Sequence, residues 1–263
     1  LPFEPKGVKK QFRDELAASI RQLSPPVPGT VLHATCSSAV RELADLENVL
    51  LYNVGCAPFR ALASQGLVIE RAFTRPSGGG EPAWDHHSRY GLGAAGFEQW
   101  RSGDPILEAR FSGTGRVPAT AAEFWAATKA GTILRRGDGA VRPELGIRML
   151  VTGMAVGAIN WTERIKPLLD GVASALHVFV GPNLDAVSER ASLALGLPRE
   201  TVTGWLTDGT SAALGAKRFV WPFGAGLQWS PNDDRFVAVS LEATVNREPG
   251  WAVRAELFDA VAV

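Results

Sequence analysis

Val8, Phe12, Leu16, Ile20 and Leu23 recur at steps of three and four, with Lys9, Lys10, Arg13 and Arg21 between them. That period predicts an amphipathic helix, ended by Pro25 and Pro26. Beyond it the apolar runs shorten. Val31 to Thr35 reads as a strand, Ser37 or Ser38 as the cap of a helix through Ala44, and VLLYNV (Val49 to Val54) as a buried strand. Pro58 to Ser64 suggests a helical turn and Leu67 to Thr74 a further strand. The stretch PSGGGEPAWDHHSRYGLGAAG then breaks all periodicity and reads as one long loop.

Strand patterns return at Ile106 to Phe111 and Ile147 to Val151, separated by a helix through Ala130 that the capping box Thr120–Glu123 opens. Leu176 to Gly181 is a strand, and helices are expected at about Leu184 to Leu195 and Arg199 to Leu206. The tail is β-rich: KRFVW, then RFVAVSLEATV with Val237, Val239, Leu241, Ala243 and Val245 on one face, then WAVRAELF beyond an Arg247-Glu248-Pro249-Gly250 turn. The expected class is α+β (mixed α/β), a mixed sheet flanked by helices with a C-terminal antiparallel hairpin. One domain over 1–263 with large insertions is expected, any subdivision falling near 137–145.

Composition narrows the function classes. The 27 basic and 27 acidic side chains cancel, which argues against non-specific coating of nucleic acid but leaves room for a local basic patch. No run of about 18 uncharged apolar residues occurs, so no membrane span is expected. Three lysines near the start and only two cysteines, Cys36 and Cys56, point to free thiols in a cytoplasmic protein. The glycine-rich stretch has neither P-loop nor dinucleotide-binding spacing, and no nucleophile elbow is present. Cys36 follows a strand and precedes the expected helix start, a place that lowers a thiol pKa, against the plainer reading as a small core thiol.

The carboxylates carry the chemistry that the other residue types lack. Asp45 and Glu47 lie two apart in DLEN, Asp233 and Asp234 adjoin the strand that follows them, and Asp170 stands in KPLLDGV. There Pro167 is expected to begin a helix, with Lys166 at the N-cap and Asp170 about one turn on. Gathered by folding, Asp45, Glu47, Asp170 and Asp233 would offer oxygen ligands to Mg²⁺ or Mn²⁺, with Lys166 steadying phosphate charge. The plainer reading makes each a turn, cap or ion-pair residue. His86 and His87, beside Asp85, lack the spacing of a two-histidine metal motif but could contact substrate from a loop. His33 and His177 lie beside apolar strands and read as core or edge histidines.

Three short segments resemble the RusA-type Holliday-junction resolvases. FEPKGVKKQF (Phe3 to Phe12) is similar to the family's opening P-x-P-K-G-like segment. KPLLDGV (Lys166 to Val172) resembles the second half of D-x-D-N-x-x-K-P-x-x-D-[AG]-[LVI], and NDDRFVAV (Asn232 to Val239) its later D-D-x-x-V element. Upstream of Lys166, however, Asn160 and Thr162 stand where the family has its metal-binding aspartates, and Glu163 at its asparagine. DLEN resembles the missing half but lies far upstream. The resemblance implies a dimeric α/β core that binds branched or duplex DNA. It implies catalytic roles for Lys166, Asp170 and Asp233 or Asp234, with Asp45 and Glu47 as a relocated metal pair. Lys6, Lys9 and Lys10 of the opening segment become candidate substrate contacts, as do His86 and His87.

Two other readings stand beside the nuclease. A non-catalytic subunit of a DNA-processing or phage-defence assembly would expose an apolar patch, for which Trp84, Trp100, Trp221, Phe223 and Trp229 are candidates. A small-molecule enzyme would use the His86/His87 loop as a lid.

Overall fold

The structure, a computed structural model, describes residues 6–24, 26–38, 45–72, 86–137, 143–231 and 233–263. Val8, Lys9, His86 and Asp233 are described by their backbone alone. Helix α1 (Val8–Arg21) is followed by β1 (Thr30–Ser38), a π-helical turn (Asn48–Tyr52), a 3-10 turn (Ala57–Phe59) and strands β2 (Gly66–Ala72), β3 (His86–Ala94) and β4 (Trp100–Gly113). Next come α2 (Ala121–Ala130), β5 (Thr132–Arg135), β6 (Leu145–Thr152), α3 (Trp161–Ala175) and β7 (His177–Phe179). The chain continues through α4 (Leu184–Leu195), α5 (Arg199–Thr207), β8 (Gly215–Lys217), β9 (Val220–Phe223) and β10 (Gly226–Trp229), and closes with β11 (Phe236–Thr244) and β12 (Trp251–Ala262).

Among the described residues, eight strands form one mixed sheet in the order β3-β1-β2-β11-β6-β12-β4-β5. The pairs β1/β2 and β11/β6 are parallel and the other five antiparallel. Strand alternation sends Ile69, Ile147, Met149, Val239, Leu241 and Leu257 to one face, where Phe124 of α2 and Ile165, Leu168 and Leu169 of α3 join the core. The segment between α3 and β11 builds a smaller core, Phe179, Val187, Val202, Leu206 and Phe219, around Trp125 of α2. On the opposite face the chain from β3 to β4 lies as a strap. The Glu98 and Gln99 amides each donate to the buried Glu70 carboxylate at 2.9 Å, and the Trp100 indole donates to the Arg71 carbonyl at 2.6 Å.

The α+β class is as expected, as is the capping box: the Glu123 amide donates to Thr120 Oγ1, and the Glu123 carboxylate accepts from the Thr120 amide. The C-terminal antiparallel hairpin is split. β11 and β12 run antiparallel across 245–250, and β6 lies between them, bonded to both.

Other expectations change. VLLYNV is no strand but the π-helical turn, because a short apolar run buries equally well in either form. β1 continues through Ser38, so Ser37 and Cys36 sit in the strand; the helix expected through Ala44 falls on 39–44, outside the described residues. His86 and His87 belong to β3, opposite Ser38 and Ser37, rather than to a loop, since the ladder with β1 supplies the backbone partners. Residues 73–85, with Trp84 and Asp85, lie outside the described residues, as do 138–142 in the expected subdivision. Phe12 is two-thirds exposed despite its place on the α1 stripe. Among the described residues no helix is long and apolar enough to cross a membrane.

Candidate functional site

The pairing directions bring the end of β1, the start of β3, the end of β2 and the starts of β11 and β6 to one end of the sheet. Helix α3 crosses the core face and packs against the 3-10 turn Asp233–Arg235 that leads into β11. Its local structure departs from expectation. The helix begins at Trp161, so Pro167 is an interior residue and Lys166 is not an N-cap. Burial of Trp161, Ile165, Leu168, Leu169 and Val172 holds the helix through the proline, where tertiary packing outweighs the roughly 3 kcal/mol an interior proline costs.

Proline has no N–H, so the carbonyl four residues back, that of Glu163, loses its helical donor. The Tyr52 hydroxyl donates to it at 3.2 Å. Close by, the Cys56 thiol donates to the Thr162 carbonyl at 3.3 Å and the Thr162 hydroxyl donates back to the Cys56 carbonyl at 3.1 Å. Burial, and after it the neighbouring Glu163 charge, pushes the Cys56 thiol up to about 11, so it stays a protonated donor.

Lys166 and Asp170 lie one turn apart on the same face of α3, with Nζ 3.3 Å from Asp170 Oδ1. The same ammonium donates to Glu47 Oε1 at 2.8 Å and to Asp45 Oδ2 at 3.1 Å. Asp45 Oδ2 also accepts from Asn48 Nδ2 at 2.6 Å, while the Asp45 carbonyl accepts from the Val49 amide. The Glu47 side chain is 1% exposed, against 11% for Asp170 and 25% each for Asp45 and Lys166. One ammonium is therefore ringed by three carboxylates in a half-buried centre, with its outer edge open to solvent.

DLEN and KPLLDGV, far apart in the chain, thus meet: Asp45 and Glu47 reach Lys166 across 121 and 119 residues. Asp233 lies in the turn packed on α3, its side chain outside the described residues, and Asp234 is half-buried beside it. The remaining candidates are not among the groups shown around Lys166. Lys6 is exposed ahead of α1, Lys9 is described by its backbone alone, and Lys10 is tied to Asp14 at 2.7 Å. His87 is half-buried on β3, and His86 is described by its backbone alone.

Of the proposed aromatic patch, Trp100 is buried, Trp221 and Trp229 are half-buried, and Phe223 alone among the described members is exposed. Trp229 packs in tilted contact with Trp125 and Phe219, and the Arg218 guanidinium lies over the Trp221 ring. The contacts that tie Tyr52 and Cys56 to α3 escaped the sequence reading. Their signal was the interior proline, whose orphaned carbonyl demands a donor from elsewhere.

The donor set is all carboxylate oxygen, the chemistry that suits Mg²⁺ or Mn²⁺. Among the described residues, however, no three His, Cys, Asp or Glu side chains are grouped so as to hold a metal ion, and the oxygens point at Lys166 Nζ instead. Compared with family models, curated proteins and solved structures, the chain shows no match.

Proposed function

We propose that the protein is a divalent-metal-dependent endonuclease of RusA-like type, acting on branched or duplex DNA. The observation that supports this reading is the meeting of Asp45, Glu47 and Asp170 at Lys166 Nζ, within 3.3 Å. Resemblance to the resolvase motif was split between DLEN and KPLLDGV, and tertiary contact rejoins the halves in space. Charged residues drawn into a half-buried cluster from distant segments are candidates for chemistry.

As they stand, Asp45, Glu47 and Asp170 point at the Lys166 ammonium and are not gathered as a metal site. In this reading they would hold Mg²⁺ or Mn²⁺ only once that ammonium turns out to the phosphate, and the metal would then supply an activated water and neutralise phosphate charge. Lys166, on a flexible stem at the solvent edge, contacts a non-bridging phosphate oxygen and steadies the charge that grows as water's oxygen bonds to phosphorus and the P–O bond to the leaving strand breaks. Asn48 fixes the Asp45 carboxylate so that its second oxygen keeps one direction.

The test is cleavage of labelled four-way-junction, duplex and single-stranded DNA, and of RNA, with Mg²⁺ or Mn²⁺. EDTA and Asp170→Asn serve as controls. Metal-dependent cutting that falls at least a hundredfold in the variant is the expected result. Junction binding without cutting would mean a non-catalytic relative, and the absence of both would overturn the DNA reading.

A further inference from the structure

We propose that Tyr52 is a positioning residue for Lys166: its hydroxyl holds the α3 carbonyl that Pro167 leaves without a helical donor, and so fixes the turn from which Lys166 reaches Asp45 and Glu47. The proposal rests on reading the Lys166 cluster as the working centre of the protein.

Three observations carry it. Pro167 follows Lys166 directly, and a proline ring both removes a hydrogen bond and pushes away the carbonyl four residues back, so the helix is free to open where Lys166 leaves it. The Tyr52 hydroxyl meets that carbonyl, on Glu163, at 3.2 Å. The Thr162 carbonyl just before it is met by Cys56, so two successive peptide groups of α3 are tied to the chain between Asn48 and Cys56. That chain is continuous with Asp45 and Glu47, which means carboxylates and ammonium are set in register by bonds spanning 106 and 111 residues.

The local geometry of the Tyr52 segment suits this task. Its turn is π-helical, with the Asn53 amide bonded to the Asn48 carbonyl five residues back at 3.1 Å. Such widened turns are uncommon and concentrate at functional sites. Asn48 at one end grips Asp45, and Tyr52 at the other grips α3. The Leu50 carbonyl between them accepts from the Tyr90 hydroxyl at 2.7 Å, which ties the turn to β3. Burial, then the Cys56 and Glu47 charges, raises the Tyr52 phenol above its ordinary value, so it remains a donor across the working pH range.

The experiment measures how fast Lys166 is acylated by a trace of isotopically labelled acetic anhydride, read by mass spectrometry relative to Lys6 and followed from pH 6 to 10, without metal or DNA. Tyr52→Phe removes one oxygen and leaves the ring. It is expected to raise the relative rate at Lys166 about fivefold, the equivalent of about 1 kcal/mol at 1.4 kcal/mol per tenfold. Adding Pro167→Ala restores an N–H to the Glu163 carbonyl and should return the rate to the wild-type value. Thr30→Val, which deletes a hydroxyl bonded to the Val27 carbonyl away from the cluster, should leave it unchanged.

An unchanged rate in Tyr52→Phe, or a raised rate that Pro167→Ala does not reverse, would overturn the proposal. Because neither metal nor DNA is present, the labelling result and the cleavage result are separate. Absence of cutting together with the expected labelling pattern would sink the nuclease and leave Tyr52 positioning Lys166.

Discussion

The Lys166 cluster has a counterpart of opposite sign on the other face of the sheet. There Glu108 of β4 is surrounded by three arginines: Arg136 at 2.8 Å, Arg254 at 3.2 Å, and Arg110 in direct contact. Arg110 and Arg254 are direct cross-strand partners, an arrangement that repels by itself and that Glu108, diagonal to Arg254 and two residues from Arg110, relieves. The arginine side chains are 45–57% exposed, so the guanidiniums keep their water. The Glu108 side chain beneath them is only 4% exposed, and three solvated guanidiniums offset the charge that it buries.

Around Lys166 the terms are reversed. Glu47 is as buried as Glu108, 1% against 4% exposed, but it shares a single ammonium with two other carboxylates, and the partners arrive from the π-turn region and from α3 rather than from adjacent strands. Well-packed apolar side chains of similar volume would hold these elements together at least as well. Under the nuclease proposal the surplus of buried negative charge around Lys166 serves chemistry, whereas the Glu108 carboxylate is answered by a surplus of cations that sheet register places around it.

The largest break in this contrast is Lys166→Met. Removing the ammonium leaves Glu47 buried beside two other carboxylates, and the expected loss is about 3–5 kcal/mol. In urea unfolding the midpoint should fall clearly, and Lys166→Met/Glu47→Leu should recover part of the loss; a midpoint within error of wild type would put this cluster in the same class as Glu108.

A smaller effect is expected at Gly171, next to Asp170. A Cβ there would meet Phe124 Cβ at 2.5 Å and the Ala121 carbonyl oxygen at 2.8 Å, so Gly171→Ala forces α3 away from α2. Overpacking of this kind costs about 1–3 kcal/mol, visible in thermal unfolding. It should also speed Lys166 acylation, because the face that carries the lysine shifts with the helix.

The smallest effect is expected from Glu108→Gln. Arg136 first, then Arg110, hold the Glu108 carboxyl down to about 2. A depressed carboxyl contributes stability above its ordinary value of 4.5, and that contribution disappears as pH falls from there towards 2. The difference in urea midpoint between wild type and variant should therefore be small and constant from pH 5 to 8 and vanish by about pH 2. A large difference at neutral pH would show that the arginine-covered glutamate matters more than its solvated partners imply.

Features confined to one stretch of chain were readable before any coordinates. The Thr120–Glu123 box depends on four consecutive residues, and the Lys166–Asp170 pair only on the helical repeat. The π-turn was not readable: VLLYNV has the length and apolarity of a strand, and the hydrogen bonds that decide otherwise go to Tyr90 and to Asn48. Nor was the course of α3 through Pro167, since proline alone argues for a helix start. Burial of Trp161, Ile165 and Leu169 extends the helix upstream, and Tyr52 satisfies the carbonyl that the proline orphans.

The sequence by itself determined the α+β class, the element types wherever periodicity ran long, and the residue kinds able to do acid or phosphate chemistry. Only the tertiary structure decided which carboxylates meet. The spacing within DLEN and within KPLLDGV is local and is set by backbone geometry. Their meeting at one ammonium, across more than a hundred residues, depends on the sheet order and on α3 packing against the core. Contacts between segments so far apart are selected by the burial of the whole chain, and no local pattern records them.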